Sequence, residues 1–290
     1  MIIDAAWGGH FGFHSGLPQH ALQLEADALI TSVHKALPGY SASALLLART
    51  QFLSAVRLEQ SFETTHTTSP AGAPLASIDA TRALMQTRGH ELIAQLLDNV
   101  ARFKEKVQAN FSLPIFLNPS DFPMGRFDPT KIVLRANQLG TSGVAIEKAL
   151  GELGIRVEMA DQDTVVFLAT LADDSTDFDA LAKALITIGK NLQEPARPSS
   201  TALSWSVVPT VGISMRDAYF ATTEMVSRTE AVGRISADLI APYPPGVAVI
   251  APGEILTTDI VEGLVTSQKA GVRIAYATDS TLEKFRVVKK

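Results

Sequence analysis

The sequence predicts an α/β protein followed by α+β units, on the strength of two observations. The short apolar runs MIID and DALITSV, each followed by a loop, are typical of strands buried on both faces of a parallel sheet. Residues 131–192 then show the order strand, helix, strand, strand, helix, which is typical of helices packed on one face of an antiparallel or mixed sheet.

The first part of the chain adds a third strand and a long helix. The run SALLLA is a further strand candidate. Apolar residues from Leu92 to Val107 recur at helical spacing and predict an amphipathic helix over residues 89–109. Pro114 follows soon afterwards, so we expect this helix to lead into the next part of the chain.

The middle part has clear start and stop signals. KIVLRAN predicts a strand, and Ser142 and Gly154 are placed to cap the two ends of the helix between them. IRVEMA and VVFLATLA predict two strands joined by the polar turn DQDT. A second helix, DFDALAKALITIGKNL, follows with Thr176 and Asp179 placed as a capping pair.

The last part begins after EPARPSST, residues 194–201, whose composition predicts a linker. Ser227 and Glu230 form a capping box that opens the helix RTEAVGRISADLI, which must end before PYPPG because proline cannot continue it. We expect a strand over residues 247–251, a helix from Thr258 towards Gly271, and a final strand in VRIAYA.

Composition and charge exclude several classes of protein. A net charge of −5 and the lack of long Lys or Arg runs argue against nucleic acid as a partner. No stretch approaches the roughly 20 apolar residues of a membrane span, and the start lacks the pattern of a signal peptide, so we expect no membrane partner. The absence of cysteine rules out disulfides and thiolate chemistry and fits a cytoplasmic location.

Asp4 and Lys35 stand after two apolar strands, where an open α/β sheet binds its ligands. A carboxylate and a lysine at neighbouring strand ends suit pyridoxal phosphate, whose aldehyde binds the amine while the carboxylate keeps the ring nitrogen protonated. Ser32 and His34 share strand parity, so both are placed to face a phosphate or a ring edge. The structural alternative is that Asp4 is a turn residue and Lys35 a solvated strand end.

Four segments in order carry a resemblance to a known family. They are DAAWGGHFGFH, LEADALITSVHKALPGYSASALLL, THTTSPAGAPLASID and EAVGRISADLIAPYPPGVAVIAPGE. With them the chain resembles the bacterial Orn/Lys/Arg decarboxylases, which depend on pyridoxal 5′-phosphate and have fold type I. The S-x-H-K and Y-P-P-G…P-G-E motifs at this separation are its most specific part.

The resemblance implies the division of the chain. Residues 1–110 would be the C-terminal part of the cofactor-binding large domain, residues 111–195 a small α+β domain, and residues 196–290 the C-terminal α+β domain of the family. The chain begins three residues before Asp4, so we expect it to lack the first strands of the sheet and the glycine-rich phosphate loop. We therefore expect activity only when the missing N-terminal half is supplied.

The resemblance also implies the roles of single residues. Lys35 looks like the Schiff-base lysine and Asp4 like the partner of the pyridine nitrogen. Ala6 would pack on one face of the cofactor ring, and Trp7 lies on the same loop. Ser32 and His34 would contact the phosphate, and His34 is also a candidate near the reacting carbon. No metal site is expected.

The implied reaction converts arginine, lysine or ornithine into the corresponding amine and carbon dioxide. Two other functions remain open: a catalytically silent fragment or partner subunit, and another fold-type-I reaction such as aminotransfer. A general α/β binding protein would be favoured if no cofactor bound.

The partners implied are a basic amino acid and either a second copy, as a dimer or higher oligomer, or a complementing N-terminal chain. The segment from Thr67 to Ser69 would reach a neighbouring subunit's site, or else form an ordinary turn and helix cap. His10 and His14 are either part of the cofactor loop or plain polar loop residues.

Overall fold

The chain is described by a computed structural model over residues 1–123, 125–192, 195–199, 208–243 and 246–289. It divides into two compact units. Unit 1 consists of Met1–Leu134 and Val166–Asn191, and unit 2 of Arg135–Val165 and Leu192–Lys290. Residues 194, 200 and 201 of the predicted linker at 194–201, and residues 244 and 245 of PYPPG, lie outside the described residues.

Unit 1 begins with a three-stranded sheet in the order β1-β2-β3, formed by β1 (Ile2–Asp4), β2 (Ala28–Ser32) and β3 (Ala44–Ala48). The three apolar runs therefore form strands as predicted. β1 is parallel to β2, whereas β3 is antiparallel to it. The expectation that these strands are buried on both faces is wrong, because Ile30 on β2 is 47% exposed.

Two helices follow the sheet. Helix α1 (Ala55–Thr65) starts at Ser54, whose side chain accepts a hydrogen bond from the Arg57 amide, and it buries none of its residues. Helix α2 (Gly72–Gln108) is much longer than the predicted 89–109. Its buried side chains recur at helical spacing in both halves of the helix. The sequence pattern from Leu92 onwards predicts this spacing for the second half only. They include Met85, Ile93, Leu96, Val100, Phe103 and Val107.

The middle elements are β4 (Lys131–Arg135), α3 (Gly143–Glu152), β5 (Met159–Ala160), β6 (Thr164–Leu168) and α4 (Ser175–Asn191). The three strands form a sheet in the order β4-β6-β5. The order strand, helix, strand, strand, helix is confirmed, although only two residues of IRVEMA are in a strand. In unit 1, α4 packs on α2, where the Phe103 and Phe178 ring centroids lie 5.8 Å apart.

The structure confirms the predicted cap residues of α3 but not those of α4. Ser142 accepts a hydrogen bond from the Ala145 amide, and Gly154 follows α3 with a positive φ of 77°. At the start of α4 the predicted capping residue Thr176 is wrong. The Asp174 carboxylate instead accepts hydrogen bonds from the Thr176 and Asp177 amides, because it lies just before the first turn.

The rest of unit 2 contains α5 (Met215–Phe220), β7 (Thr223–Ser227), α6 (Arg228–Ala231), β8 (Ala241–Tyr243), α7 (Thr258–Lys269), β9 (Arg273–Ala275) and β10 (Lys284–Val288). β7 pairs with β10 and β8 with β9, both antiparallel. Apolar side chains of these strands, of α7 and of the connecting segments pack into one cluster that includes Ile240, Ile250, Leu256, Leu264 and Phe285.

Three predictions for this part are corrected. The capping box of Ser227 and Glu230 is present, but the helix it opens ends at Ala231. Residues 247–251 are not a strand, because only Ile250 forms an isolated bridge there. Helix α7 is capped by Thr257 rather than Thr258.

The described residues contain neither a membrane-spanning helix nor a cluster of metal ligands. None of the described helices is both long and apolar enough to cross a membrane. Across the same residues, no group of three or more His, Cys, Asp or Glu side chains is placed to hold a metal ion.

Candidate active site

The parallel pairing of β1 with β2 sets the position of Asp4. Asp4 is in register with Ile30, and the Ala5 amide continues the ladder with a 2.8 Å hydrogen bond to the Ile30 carbonyl. Lys35 follows the end of β2 at Ser32. Asp4 thus ends one strand and Lys35 follows the end of its parallel neighbour, at the carboxyl ends where α/β sheets bind ligands.

Asp4 and Lys35 line one cavity of about 590 Å³ in unit 1. Ala6 and Trp7 lie in the same wall, so four of the six residues predicted from the sequence are brought together. The remaining lining includes residues that the sequence did not single out, among them Phe11, Gln19, His20, Leu24, Asp128 and Lys131.

The Asp4 carboxylate is exposed and orders the loop that follows it. Its Oδ1 accepts a 3.0 Å hydrogen bond from the Ala6 amide. This local turn starts the Ala6–Trp7 segment along the cavity wall. The second carboxylate oxygen is left to a ligand or to water.

Lys35 presents an exposed amine. In the part of the chain that the structure describes, its Nζ forms no hydrogen bond or ion pair. An amine without an internal partner is available to react with an aldehyde that enters the cavity.

Ser32 and His34 are not among the described residues that line this cavity. Both are half-buried. The His34 ring donates from Nδ1 to the Ser43 carbonyl at 2.9 Å, which fixes the ring against the strand that follows. Ser32 and His34 are therefore close to Lys35 in the sequence, but they do not line the cavity that Lys35 lines.

A buried cluster of polar side chains contributes Asp128 and Lys131 to the cavity lining, and its members come from two distant segments. His10 is 1% exposed, and its Nε2 lies 3.2 Å from an Asp128 carboxylate oxygen and 3.2 Å from the Thr130 hydroxyl. Lys131 Nζ lies 3.0 Å from Asp128 Oδ2, the same oxygen that His10 contacts. His10 is thus a buried residue in contact with Asp128 and Thr130, and not a solvated loop residue.

The Asp128 carboxylate is held as an anion. Burial alone would raise its pKa, but contacts with His10, Lys131 and Thr130 outweigh burial and lower the pKa well below its usual range. The local signal for this arrangement is the segment DPTK, in which Oδ1 of Asp128 accepts from both the amide and the hydroxyl of Thr130.

Replacing Asp128 with Asn is expected to destabilise the protein by about 3 kcal/mol, because it removes the negative charge from a buried ion pair with Lys131. Since folding lowers the pKa of Asp128, its stabilising effect is present above the unfolded pKa and is lost as pH falls below about 4. Thermal unfolding at several pH values measures both effects. The matched control is Asp79→Asn, which removes an exposed ion pair with Arg82 and should change stability little. Equal stability of D128N and D79N would contradict this account.

His20 is a further residue of the cavity wall. It is half-buried, and burial lowers its pKa, so the ring is neutral near pH 7. Its Nδ1 accepts from the Leu22 amide at 3.4 Å, which leaves the proton on Nε2. No sequence motif near His20 predicted that it would line the cavity.

The remaining loop residues take local roles. His14 Nδ1 accepts from the Gly16 amide, and its ring lies against that of His90 with centroids 4.7 Å apart. The segment from Thr67 to Ser69 is exposed between α1 and α2, with the Ser69 amide bonded to the Thr67 hydroxyl. Its reach into a neighbouring subunit stays a prediction.

Comparison with known sequences gives two family matches. Residues 1–122 match the model described as Orn/Lys/Arg decarboxylase, major domain, and residues 205–273 match Orn/Lys/Arg decarboxylase, C-terminal domain. The arginine decarboxylase of Bacillus subtilis (strain 168) is 31% identical over 296 residues, which cover 100% of this chain and 60% of that protein. The chain thus spans about three fifths of this curated relative.

Comparison with solved structures shows the fold. Lysine decarboxylase A from Pseudomonas aeruginosa is similar with a TM-score of 0.78 at 19% identity, over 99% of this chain and 53% of that one. Ureidoglycine-glyoxylate aminotransferase from Bacillus subtilis gives a TM-score of 0.52 at 13% identity, over 68% of this chain and 54% of that one. These likenesses confirm the predicted α/β architecture of fold type I.

Proposed function

Because the chain belongs to the Orn/Lys/Arg decarboxylase family, we propose that it acts in the decarboxylation of a basic amino acid with pyridoxal 5′-phosphate as cofactor. The substrate would be arginine, lysine or ornithine, and the products the corresponding amine and carbon dioxide. One observation carries the proposal: Asp4 and Lys35 line the same cavity.

The residues of the cavity fit the cofactor. The volume of about 590 Å³ falls within the roughly 300–1,000 Å³ of sites for small molecules. The cavity lining includes a free amine, a carboxylate and the aromatic side chains of Trp7 and Phe11. The amine matches the aldehyde of the cofactor, the carboxylate matches its pyridine nitrogen, and the aromatic side chains match its flat ring.

The chain's own residues would then divide the work. When bound, pyridoxal phosphate supplies an electron sink for the bond that breaks. Lys35 would hold the cofactor through its amine. Asp4 would keep a proton on the ring nitrogen, and Ala6 would lie against one face of the ring with Trp7 beside it.

Proton delivery to the α-carbon would fall to Lys35 or His34. Lys35 has a free amine that faces the cavity. The Nδ1 atom of His34 donates to the Ser43 carbonyl, which leaves Nε2 as the atom that would transfer the proton. We also retain Ser32 and His34 as phosphate contacts, which would require a small shift of the segment after β2 towards the cavity.

The domain division is part of the proposal. We propose residues 1–110 as the C-terminal part of the cofactor-binding domain, residues 111–195 as the small domain, and residues 196–290 as the C-terminal domain. The family matches to residues 1–122 and 205–273 support the outer two of these assignments.

The exposed face of the β1-β2-β3 sheet supports a polypeptide partner. Ile2, Ile30 and Leu46 share this face by strand register, and they are 67%, 47% and 39% exposed. Apolar surface of this kind marks an interface. We propose that it is covered by the region of the relatives that this chain does not match, within a dimer or larger oligomer.

The test combines cofactor binding with product analysis. The chain is prepared alone and together with the region of the Bacillus subtilis relative outside the match, and each preparation receives pyridoxal phosphate and one of the three amino acids. We expect both chains to associate, and carbon dioxide and amine to form without any keto acid. Keto acid without carbon dioxide would instead show aminotransfer. Association without any product would show a silent partner subunit, and no cofactor binding in either preparation would overturn the proposal.

A further inference from the structure

We propose that Lys131 is a positioning residue that holds the indole of Trp7 in the wall of the candidate cavity, with Asp128 and Thr130 as its anchors. The inference deepens the proposed function, because Trp7 is one of the proposed cofactor contacts. The contacts of Lys131 itself carry it independently of any ligand.

Lys131 occupies a place that is unusual for a lysine. It is the first residue of β4, its side chain is only 12% exposed, and it lines the cavity together with Trp7. A buried ammonium is costly unless its donors are satisfied, so the structure must hold it for a reason.

Two anchors fix the ammonium. Nζ donates to the Thr130 hydroxyl at 3.0 Å and lies 3.0 Å from Asp128 Oδ2. The Thr130 hydroxyl in turn donates to Asp128 Oδ1 at 2.7 Å, so the acceptor groups are themselves locked together. The ammonium therefore has one defined position.

That position is over the Trp7 ring. Nζ lies 5.8 Å from the ring centroid, within the range of a cation–π contact, and indole is the best ring for this interaction. Trp7 itself is only half-buried, so packing alone leaves it room to turn away from the cavity.

His10 supports the same arrangement through a contact with the same carboxylate. It is buried and contacts both Asp128 and Thr130. It also lies three residues after Trp7 on the same loop, so the cluster ties the loop to the start of β4 at two points. Together these contacts fix the position of the loop relative to β4 as well as the orientation of the indole.

The test uses Trp7 as its own reporter. The chain contains two tryptophans, and Trp205→Phe leaves Trp7 as the single source of indole emission. In that background, Lys131→Met is expected to increase quenching of Trp7 emission by acrylamide without loss of the cooperative unfolding transition. The apparent dissociation constant for pyridoxal 5′-phosphate should rise about five-fold, the size expected from loss of one part-buried cation–π contact.

Two controls separate positioning from a general effect on stability. Lys131→Arg keeps a cation that stacks on indole and should restore wild-type quenching. Lys106→Met removes a lysine from an exposed ion pair with Asp179 in the same unit and should leave Trp7 unaffected. Wild-type quenching in a folded K131M protein overturns the inference, as does a change of equal size in K106M.

A third variant covers the case in which K131M does not fold. Thr130→Val keeps the lysine and removes one anchor with little change in volume, so quenching should rise; a folded T130V protein with wild-type quenching overturns the inference. The quenching readout needs no cofactor. If Trp7 responds as expected but pyridoxal phosphate binds neither to the wild-type chain alone nor to the chain together with the complementing region, the proposed function fails and the positioning role stands.

Discussion

Replacement of Lys35 with alanine is expected to abolish covalent attachment of pyridoxal phosphate and to reduce carbon dioxide release by about 10⁴-fold. The reason is that the Lys35 amine is proposed both to hold the cofactor and to transfer a proton. Borohydride reduction followed by peptide mass spectrometry measures attachment directly. The label should lie on the peptide that contains Lys35 in the wild-type protein and be absent from K35A.

The matched control is Lys106→Ala. Lys106 lies in the same unit, but its ammonium pairs with Asp179 on the surface of the protein. K106A should keep both the label and the activity. A label that persists in K35A on another lysine would show that the amine has been assigned to the wrong residue.

Asp4→Asn is expected to lower kcat by about 10²–10³-fold while the cofactor stays bound. An amide cannot keep the ring nitrogen protonated, so the electron sink is weakened at the step in which the bond breaks. The substitution is close to isosteric, and the Asn side-chain carbonyl can still accept the hydrogen bond that Asp4 Oδ1 receives from the Ala6 amide. The loop should therefore keep its shape.

Steady-state kinetics with bound cofactor measured separately distinguish loss of charge from loss of structure. Asp79→Asn, a change of the same kind at an exposed position on α2, is the control. Turnover of D4N equal to that of the wild type would show that Asp4 is only a turn residue. Loss of cofactor together with turnover would show that its role is in binding.

The sequence was sufficient to predict the three strands of the first sheet, though not their exposure, and the joint placement of Asp4 and Lys35. Both predictions rest on short apolar runs and on a general property of parallel strands, so they depend on local pattern alone. The helix after Ser227 shows where local pattern fails. Its capping box is present, but Ile235 and Ser236 pair with residues of other segments, and this tertiary pairing ends the helix at Ala231.

Asp128 and Lys131 could not be found in the same way. They lie more than a hundred residues after His10 and Trp7, and only the folded chain brings them together. The segment DPTK predicts a turn, but no sequence pattern states which loop that turn will contact. Lysine and aspartate in a polar turn would ordinarily be solvated surface residues.

The length of α2 has a consequence for how unit 1 tolerates change. At 37 residues the helix extends for about 55 Å. Its first half faces the β1-β2-β3 sheet through residues such as Met85, and its second half faces α4 through Phe103. One residue inserted between these two positions would turn everything beyond it by about 100°. Natural variants of this helix should therefore differ by substitution and not by length, since both halves must keep the same angular phase.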